Sequence, residues 1–231
     1  AQSNNFELRG TLAASQTSPE SVTIVDPVMW TATILKDRLA AAGIQCKGGV
    51  RRRTETDRFD KPQLVGNSET PLIKIIARAN KNSLNMSAEA LCKRLGHDAT
   101  NQPGSWENGT AAVEAFAVGQ GVAANQIAMR DGSGLSAQNR ISAQAFTTVL
   151  GRVAASKNGH QFIATLAIPG EDGTLERRFQ SKQLSKVAAG IHAKTGHIDN
   201  VSCLTGYLEV NDQLYAFSIL CHKYVGNVNP W

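Results

Sequence analysis

A change in hydrophobic periodicity constrains the fold of this chain more than any other feature of its sequence. Up to Val153, apolar side chains recur at helical spacing, whereas residues 202–210 and 214–222 are typical of two strands around an Asn211-Asp212 turn. Residues 162–168 are also β-like and end at Pro169-Gly170. Helices followed by antiparallel strands predict an α+β fold in which helices pack on a sheet.

Five helices are predicted from this spacing and from capping residues. Asp26-Pro27 opens the first helix, Gly43 stops it, and Ser142 caps the last. The other three are predicted around Leu72–Ile76, from Ala88 to a stop at Gly96, and over residues 110–120 with Val113, Phe116 and Ala117 facing inward. A β-rich run, residues 21–25, precedes the first helix.

A polar, irregular stretch separates two parts of the chain. Residues 51–61 are rich in charge and lead into Asp60-Lys61-Pro62, a composition that favours a boundary between compact regions. The predicted domains are therefore residues 1–62 and residues 63–231.

The composition excludes several classes of protein. Of the 231 residues, 42% are hydrophobic and 19% are charged, which is typical of a globular protein and not of a disordered chain or a collagen. The net charge is only +5 and Arg51-Arg52-Arg53 is the one dense basic run, which argues against a nucleic acid partner. The four cysteines show no C-x-x-C spacing and no histidine pair has helical ligand spacing, so no metal site is expected.

Three short motifs occur in an order that has chemical meaning. Ser83-Leu84-Asn85 lies in a break between two predicted helices, residues 131–136 read Asp-Gly-Ser-Gly-Leu-Ser, and Lys194-Thr195-Gly196 stands at a strand. Each has a plain structural alternative: Ser83 and Asn85 could cap the next helix, and Lys194 could be a surface lysine. Asp131 stands where a G-x-S-x-G nucleophile elbow needs glycine, so residues 131–136 are interpreted as a structural turn.

Together these motifs resemble the D-alanyl-D-alanine carboxypeptidase/endopeptidase family, the class C low-molecular-mass penicillin-binding proteins. Further segments follow in the order of that family: residues 6–12, 26–27, 43–44, 70–72, 104–106 and 172–175. The resemblance implies the transpeptidase fold of penicillin-binding proteins and β-lactamases. It also implies that residues 1–62 are the remnant of an inserted β-rich domain and residues 63–231 the C-terminal part of the catalytic domain.

The chemistry implied by the resemblance is acyl transfer by a serine to and from peptides that end in D-Ala-D-Ala. Ser83 would relay a proton to the leaving amine. Asn85 would hydrogen-bond the amide oxygen of the substrate. Lys194 would supply a fixed positive charge that supports the proton relay and attracts an acidic substrate.

The strand end after Lys194 is implied to hold the substrate. Thr195 would bind the C-terminal carboxylate, Gly196 would allow close approach, and the backbone N–H of His197 would form half of the oxyanion hole. The substrate backbone would pair with this strand like an added strand. The family more often has Thr or Ser at the position of His197, which puts a side-chain contact from there to the carboxylate in question.

The family's S-x-x-K nucleophile motif is absent from these 231 residues, and the nearest spacing is Thr33-Ile34-Leu35-Lys36 inside a predicted helix. In the family that motif lies near the N-terminus, before the insertion. We therefore expect the nucleophile to lie upstream of Ala1 and the chain alone to be inactive.

The partners implied by the resemblance are peptidoglycan stem peptides, β-lactams as inhibitors and the N-terminal segment that carries the nucleophile. The implied location is the periplasm or cell envelope, and the resemblance implies no metal or organic cofactor. Two alternatives remain open: a non-catalytic protein that binds D-Ala-D-Ala in peptidoglycan, and a processed enzyme whose N-terminal half stays associated as a second chain.

Cys203 and Cys221 lie on the two strands of the predicted hairpin. In one register they are direct cross-strand partners that could form a disulfide. A shift of one residue places them on opposite faces of the sheet, and two separate thiols are the favoured interpretation.

Overall fold

The computed structural model describes residues 4–7, 9–11, 22–58, 63–64 and 66–223. The chain divides into two compact units, Ala1–Asn67 and Ser68–Trp231. The predicted boundary at Asp60-Lys61-Pro62, the start of the β-rich run at Ser21, and Leu8 and Leu12 of the first family-like segment lie outside the described residues.

The first unit contains the helix α1, Pro27–Ala41, whose ends form as the sequence predicts. The Asp26 carboxylate accepts a hydrogen bond from the backbone N–H of Met29 at 3.1 Å, and Gly43 follows the helix with a φ of +81°. The prediction of a strand at residues 21–25 is wrong for the part that is described. Residues 22–25 form no strand, because β propensity is realised only where a second strand is available to pair.

The second unit begins with helices and one short two-stranded sheet. Four of these helices have ten or more residues: α2, Leu72–Asn82; α3, Asn85–Thr100; α4, Trp106–Gly119; and α5, Ala143–Ala154. Two are single turns: α6, Gly159–Ile163, and α7, Ser185–Ala188. Between α4 and α5, the strands β1, Ile127–Ala128, and β2, Arg140–Ile141, pair antiparallel. The predicted cap at Ser142 is confirmed, since its hydroxyl accepts from the N–H of Ala145 at 2.9 Å.

Two helix boundaries differ from the predicted ones, one because α3 packs closely against α4 and one because of a capping box. Gly96 does not stop α3; a Cβ there would lie 2.1 Å from Asn108 Oδ1 on α4, so this glycine allows the two helices to approach. Helix α4 starts at Trp106 and not at residue 110, because Ser105 and Asn108 form a reciprocal capping box. Phe116, predicted to face inward, is 53% exposed, whereas Ala117 beside it is buried.

The second unit ends in a three-stranded antiparallel sheet of order β3-β4-β5. Its strands are β3, Ile191–Ile198; β4, Val201–Val210; and β5, Gln213–His222. The predicted hairpin is confirmed: Asn211 and Asp212 join β4 to β5 with φ values of +51° and +59°, the backbone that a two-residue hairpin turn needs. The strand predicted at residues 162–168 is wrong. These residues include the end of α6, and only Ala167 forms a single bridge, to Ala193.

The register of β4 and β5 separates the two cysteines. Cys203 pairs with Leu220, and Cys221 pairs with Ser202, so the cysteines lie on opposite faces of the sheet. Both are free thiols. The register differs by one residue from the one that would pair the two cysteines, so the disulfide alternative is excluded.

The sheet carries apolar clusters on both faces. One cluster joins Ile191, Ala193 and Leu204 to Leu175. The other joins Tyr207 to Leu150 on α5 and to Leu166. Tyr207 is fully buried, and its hydroxyl donates to the backbone carbonyl of Leu150 at 2.8 Å, which ties the sheet to α5.

Replacement of Tyr207 by phenylalanine is expected to lower the free energy of unfolding by about 1 kcal/mol at neutral pH, because the hydrogen bond to Leu150 is lost. Burial raises the pKa of Tyr207 to about 12. Above about pH 10 the unfolded tyrosine ionises while the folded one does not, so stability falls as pH rises towards 12. Urea unfolding between about pH 10 and pH 12 measures this effect: the free energy of unfolding of Tyr207→Phe should fall less over that range than that of wild type. Tyr215→Phe, at an exposed site, should show the wild-type dependence on pH.

Candidate active site

The break between α2 and α3 places Ser83 at the surface. Ser83 ends α2 in the left-handed conformation, with a φ of 54°, and Asn85 is the first residue of α3. The residue at the cap position of α3 is Leu84, which makes no side-chain capping bond. The interpretation of Ser83 and Asn85 as caps of the helix that follows is therefore wrong, and Ser83 instead ends the helix before it, in the left-handed conformation common at helix C-termini.

Lys194 on β3 reaches this break from 111 residues further along the chain, and its Nζ donates to Ser83 Oγ at 2.9 Å. A second hydrogen bond from Nζ goes to the backbone carbonyl of Thr195. Burial lowers the pKa of Lys194. Among the described residues no carboxylate forms an ion pair with Lys194, so its charge is left available to an acidic ligand.

The side chains of the other residues predicted for the site take no part in the Lys194–Ser83 hydrogen bond. Asn85 is exposed and its side chain makes no hydrogen bond within the described part of the chain. Thr195 points to the opposite face of the sheet from Lys194, where its hydroxyl donates to Thr174 Oγ1 at 2.8 Å. Gly196 and His197 are exposed. A Cβ on Gly196 would meet only Cys203 Cβ, at 3.4 Å, so nothing else described in the fold crowds that position.

β3 is an edge strand of its sheet, and among the described residues only Ala167 pairs with its outer edge. Ala193 exchanges both of its backbone hydrogen bonds with Ala167 across that edge. Because alternate residues of a strand direct their backbone groups the same way, Thr195 and His197 direct theirs to the edge beyond Ala167. An extended peptide could pair with β3 there.

The motif at residues 131–136 is a structural turn, as predicted. The Asp131 carboxylate accepts from the N–H of Gly134 at 2.8 Å and of Ser136 at 2.6 Å. Glu89 on α3 accepts from the N–H groups of Gly132 and Ser133. Burial raises the pKa of Glu89, but the hydrogen bonds that its carboxylate accepts outweigh burial and leave the pKa below its ordinary value. The turn is thus held on α3, one helical turn after Asn85.

Sequence reasoning missed the contacts that link these motifs. Lys81, near the end of α2, pairs with Asp172, and Thr174 contacts Thr195. The sequence marked residues 172–175 as one of the segments that resemble the family. No sequence pattern indicates that these residues contact α2 and β3.

The described residues offer neither a metal centre nor a membrane span. No group of three or more His, Cys, Asp or Glu side chains there could hold a metal ion. None of the helices in the described ranges is long and apolar enough to cross a membrane.

The profile of the D-Ala-D-Ala carboxypeptidase 3 (S13) family matches residues 1–230. The chain belongs to this family. A D-alanyl-D-alanine carboxypeptidase from Actinomadura sp. (strain R39) is 29% identical over 96% of the chain, and the D-alanyl-D-alanine carboxypeptidase DacB of Haemophilus influenzae is 28% identical over 89%. These matches confirm the family that the motifs predicted.

The fold of the family agrees with the structure. The crystal structure of penicillin binding protein 4 (dacB) from H. influenzae, complexed with a novel β-lactam, superposes with a TM-score of 0.69 and 26% identity. The match covers 86% of this chain and 46% of that one. The predicted α+β penicillin-binding-protein fold is therefore confirmed. The chain spans 42% of the length of each of the two curated relatives.

Proposed function

We propose that residues 68–231 form one side of the acyl-transfer site of a serine-type D-Ala-D-Ala carboxypeptidase or endopeptidase that acts on peptidoglycan stem peptides. The observation that carries this proposal is the 2.9 Å contact between Lys194 Nζ and Ser83 Oγ. It joins the two motifs to which the family resemblance assigns chemistry. The backbone role of Ser83 at the end of α2 does not require its hydroxyl, which is left to bond with Lys194.

The contact supports a proton relay. A hydroxyl whose oxygen accepts a hydrogen bond from a charged ammonium can donate its own proton to a leaving nitrogen and take a replacement proton from the side of the attacking nucleophile. Ser83 is exposed, so a substrate nitrogen can reach its Oγ. Lys194 would hold its charge beside the relay and attract the carboxylate of a peptide or a β-lactam.

The open part of the β3 edge would hold the peptide backbone of the substrate by strand addition. The N–H of His197 would donate to the developing oxyanion, and the Asn85 amide would bind the substrate's amide oxygen. Gly196 supports this placement. Packing among the described residues does not require a glycine there, because the space beside it is open, and that space would admit the substrate backbone.

The attacking serine would come from an S-x-x-K segment outside these 231 residues, in which no such motif occurs. In this proposal the complete protein works in the cell envelope, β-lactams acylate it, and the 231-residue chain alone does not turn over substrate.

Labelling by a fluorescent penicillin tests the proposal. We expect the complete gene product to be labelled covalently and the labelling to be blocked by prior incubation with unlabelled penicillin. The 231-residue chain, shown by circular dichroism to be folded, should remain unlabelled.

Two results would contradict this proposal. Labelling of the isolated chain would show that it contains its own nucleophile. A complete protein that binds a D-Ala-D-Ala peptide, without labelling or hydrolysis, would instead support the non-catalytic peptidoglycan-binding alternative.

A further inference from the structure

Residues 172–174 contact both sides of the proposed active site: Lys81, two residues before Ser83, and Thr195 of the Lys194 motif. The ammonium of Lys81, close to Ser83 on α2, pairs with the Asp172 carboxylate. Asp172 Oδ1 also accepts from the N–H of Ile168 at 3.1 Å. Gly173 lies so close to α2 that a Cβ there would be 2.4 Å from the carbonyl oxygen of Lys81. Charge and backbone packing together hold this segment against the end of α2.

Thr174 continues from this anchor to β3. Its Oγ1 lies 2.8 Å from Thr195 Oγ1. The next residue, Leu175, is fully buried in the cluster with Ile191 and Ala193. Because Thr174 is held by an anchor on each side, its hydroxyl has a defined place beside that of Thr195.

The direction of the hydrogen bond between the two threonines matters for a ligand. In the structure the Thr195 hydroxyl donates its one proton to Thr174. A carboxylate can only accept hydrogen bonds, so Thr195 must turn its proton away from Thr174 to bind one. The Thr174 hydroxyl can then rotate and donate to Thr195 Oγ1, which keeps that oxygen paired.

We propose that Thr174 is a positioning residue that orients the Thr195 hydroxyl as a donor to the C-terminal carboxylate of the ligand. This inference rests on the proposed function and deepens it. Thr174 acts through Thr195 and does not itself touch the ligand. Lys81 and Asp172 keep Thr174 at the required distance from β3.

The test compares two ligands that differ only in the carboxylate. A peptide that ends in D-alanine, with its scissile amide replaced by a methylene-amine bond, is prepared as the free acid and as the C-terminal amide. Binding of both to the complete protein is measured by calorimetry. Wild type should prefer the acid, and Thr174→Val should reduce the ratio of acid to amide affinity about three- to tenfold, the effect of losing one hydrogen bond.

Matched variants separate orientation from general damage. Thr174→Ser keeps the hydroxyl and should restore the wild-type ratio, whereas Thr147→Val removes a hydroxyl that bonds only within α5 and should leave the ratio unchanged. An unchanged ratio in Thr174→Val, or no acid preference in wild type, would overturn the inference. Penicillin labelling is measured in parallel. If the protein is not labelled but still prefers the acid, and this preference depends on Thr174, acyl transfer is refuted and the role of Thr174 is supported.

Discussion

Replacement of Lys194 by methionine in the complete protein is expected to reduce the rate of acylation by penicillin by about a hundredfold or more, with the fold unchanged. Lys194 is half-buried and donates to Ser83, so methionine fills similar space but removes both the positive charge and the relay contact. Loss of a positioned proton-transfer group typically lowers a rate by about 10²–10⁴. Stopped-flow or gel measurement of fluorescent penicillin labelling gives the rate.

Three further variants define the cause of that loss. Ser83→Ala should also slow acylation, whereas Lys157→Met, at an exposed lysine after α5, should not. Burial lowers the pKa of Lys194 below 10.5, the value of an ordinary lysine. Acylation should therefore decline at high pH, as Lys194 loses its charge, and the decline should begin at a lower pH than for an ordinary lysine. Lys194→Arg should move that decline to higher pH. A Lys194→Met protein that is acylated at the wild-type rate would remove Lys194 from the mechanism.

Replacement of Gly206 by alanine is expected to destabilise the second unit by about 3 kcal/mol. Gly206 lies in the middle of β4, where a Cβ would stand 2.1 Å from the carbonyl oxygen of His192 and 2.6 Å from Ala193 Cα. These are atoms of β3, and backbone cannot move aside as the end of a flexible side chain can. The added methyl group would therefore separate β3 from β4 beside Lys194. Urea unfolding followed by circular dichroism measures the change.

Gly151 is the matched control for this substitution. It lies inside α5, and a Cβ added there would meet no described atom within 4 Å, so Gly151→Ala should stabilise the protein by about 0.5–1 kcal/mol. If Gly206→Ala unfolds at the same urea concentration as wild type, the close approach of β3 and β4 is not a constraint on this fold.

The sequence predicted those features that depend on neighbouring residues. Asp26 and Ser142 cap helices because their side chains bond to backbone N–H groups three residues further on. The β4–β5 hairpin follows from Asn211-Asp212, which tolerate the positive φ of a tight turn. The order of the motifs indicated the S13 family before any geometry was known.

The predictions that failed depend on packing between distant segments. Gly96 looked like a helix stop and is instead the point where α3 meets α4. Residues 162–168 have strand-like composition, but Phe162 and Ile163 pack beside the cluster of Leu150, Leu166 and Tyr207 as part of a short helix and turn. Periodicity reports which face of an element is apolar and contains no information about what covers that face.

By itself, therefore, the sequence determined the family, the two strands of the hairpin and the identity of Ser83, Asn85 and Lys194 as candidates. Only the tertiary structure decided that Lys194 meets Ser83, that the cysteines lie on opposite faces, and that Thr174 and Asp172 join α2 to β3. The physical reason is distance along the chain. Local hydrogen bonds and periodicity act over a few residues, whereas these contacts join residues 21 to 111 positions apart and depend on how the intervening elements pack.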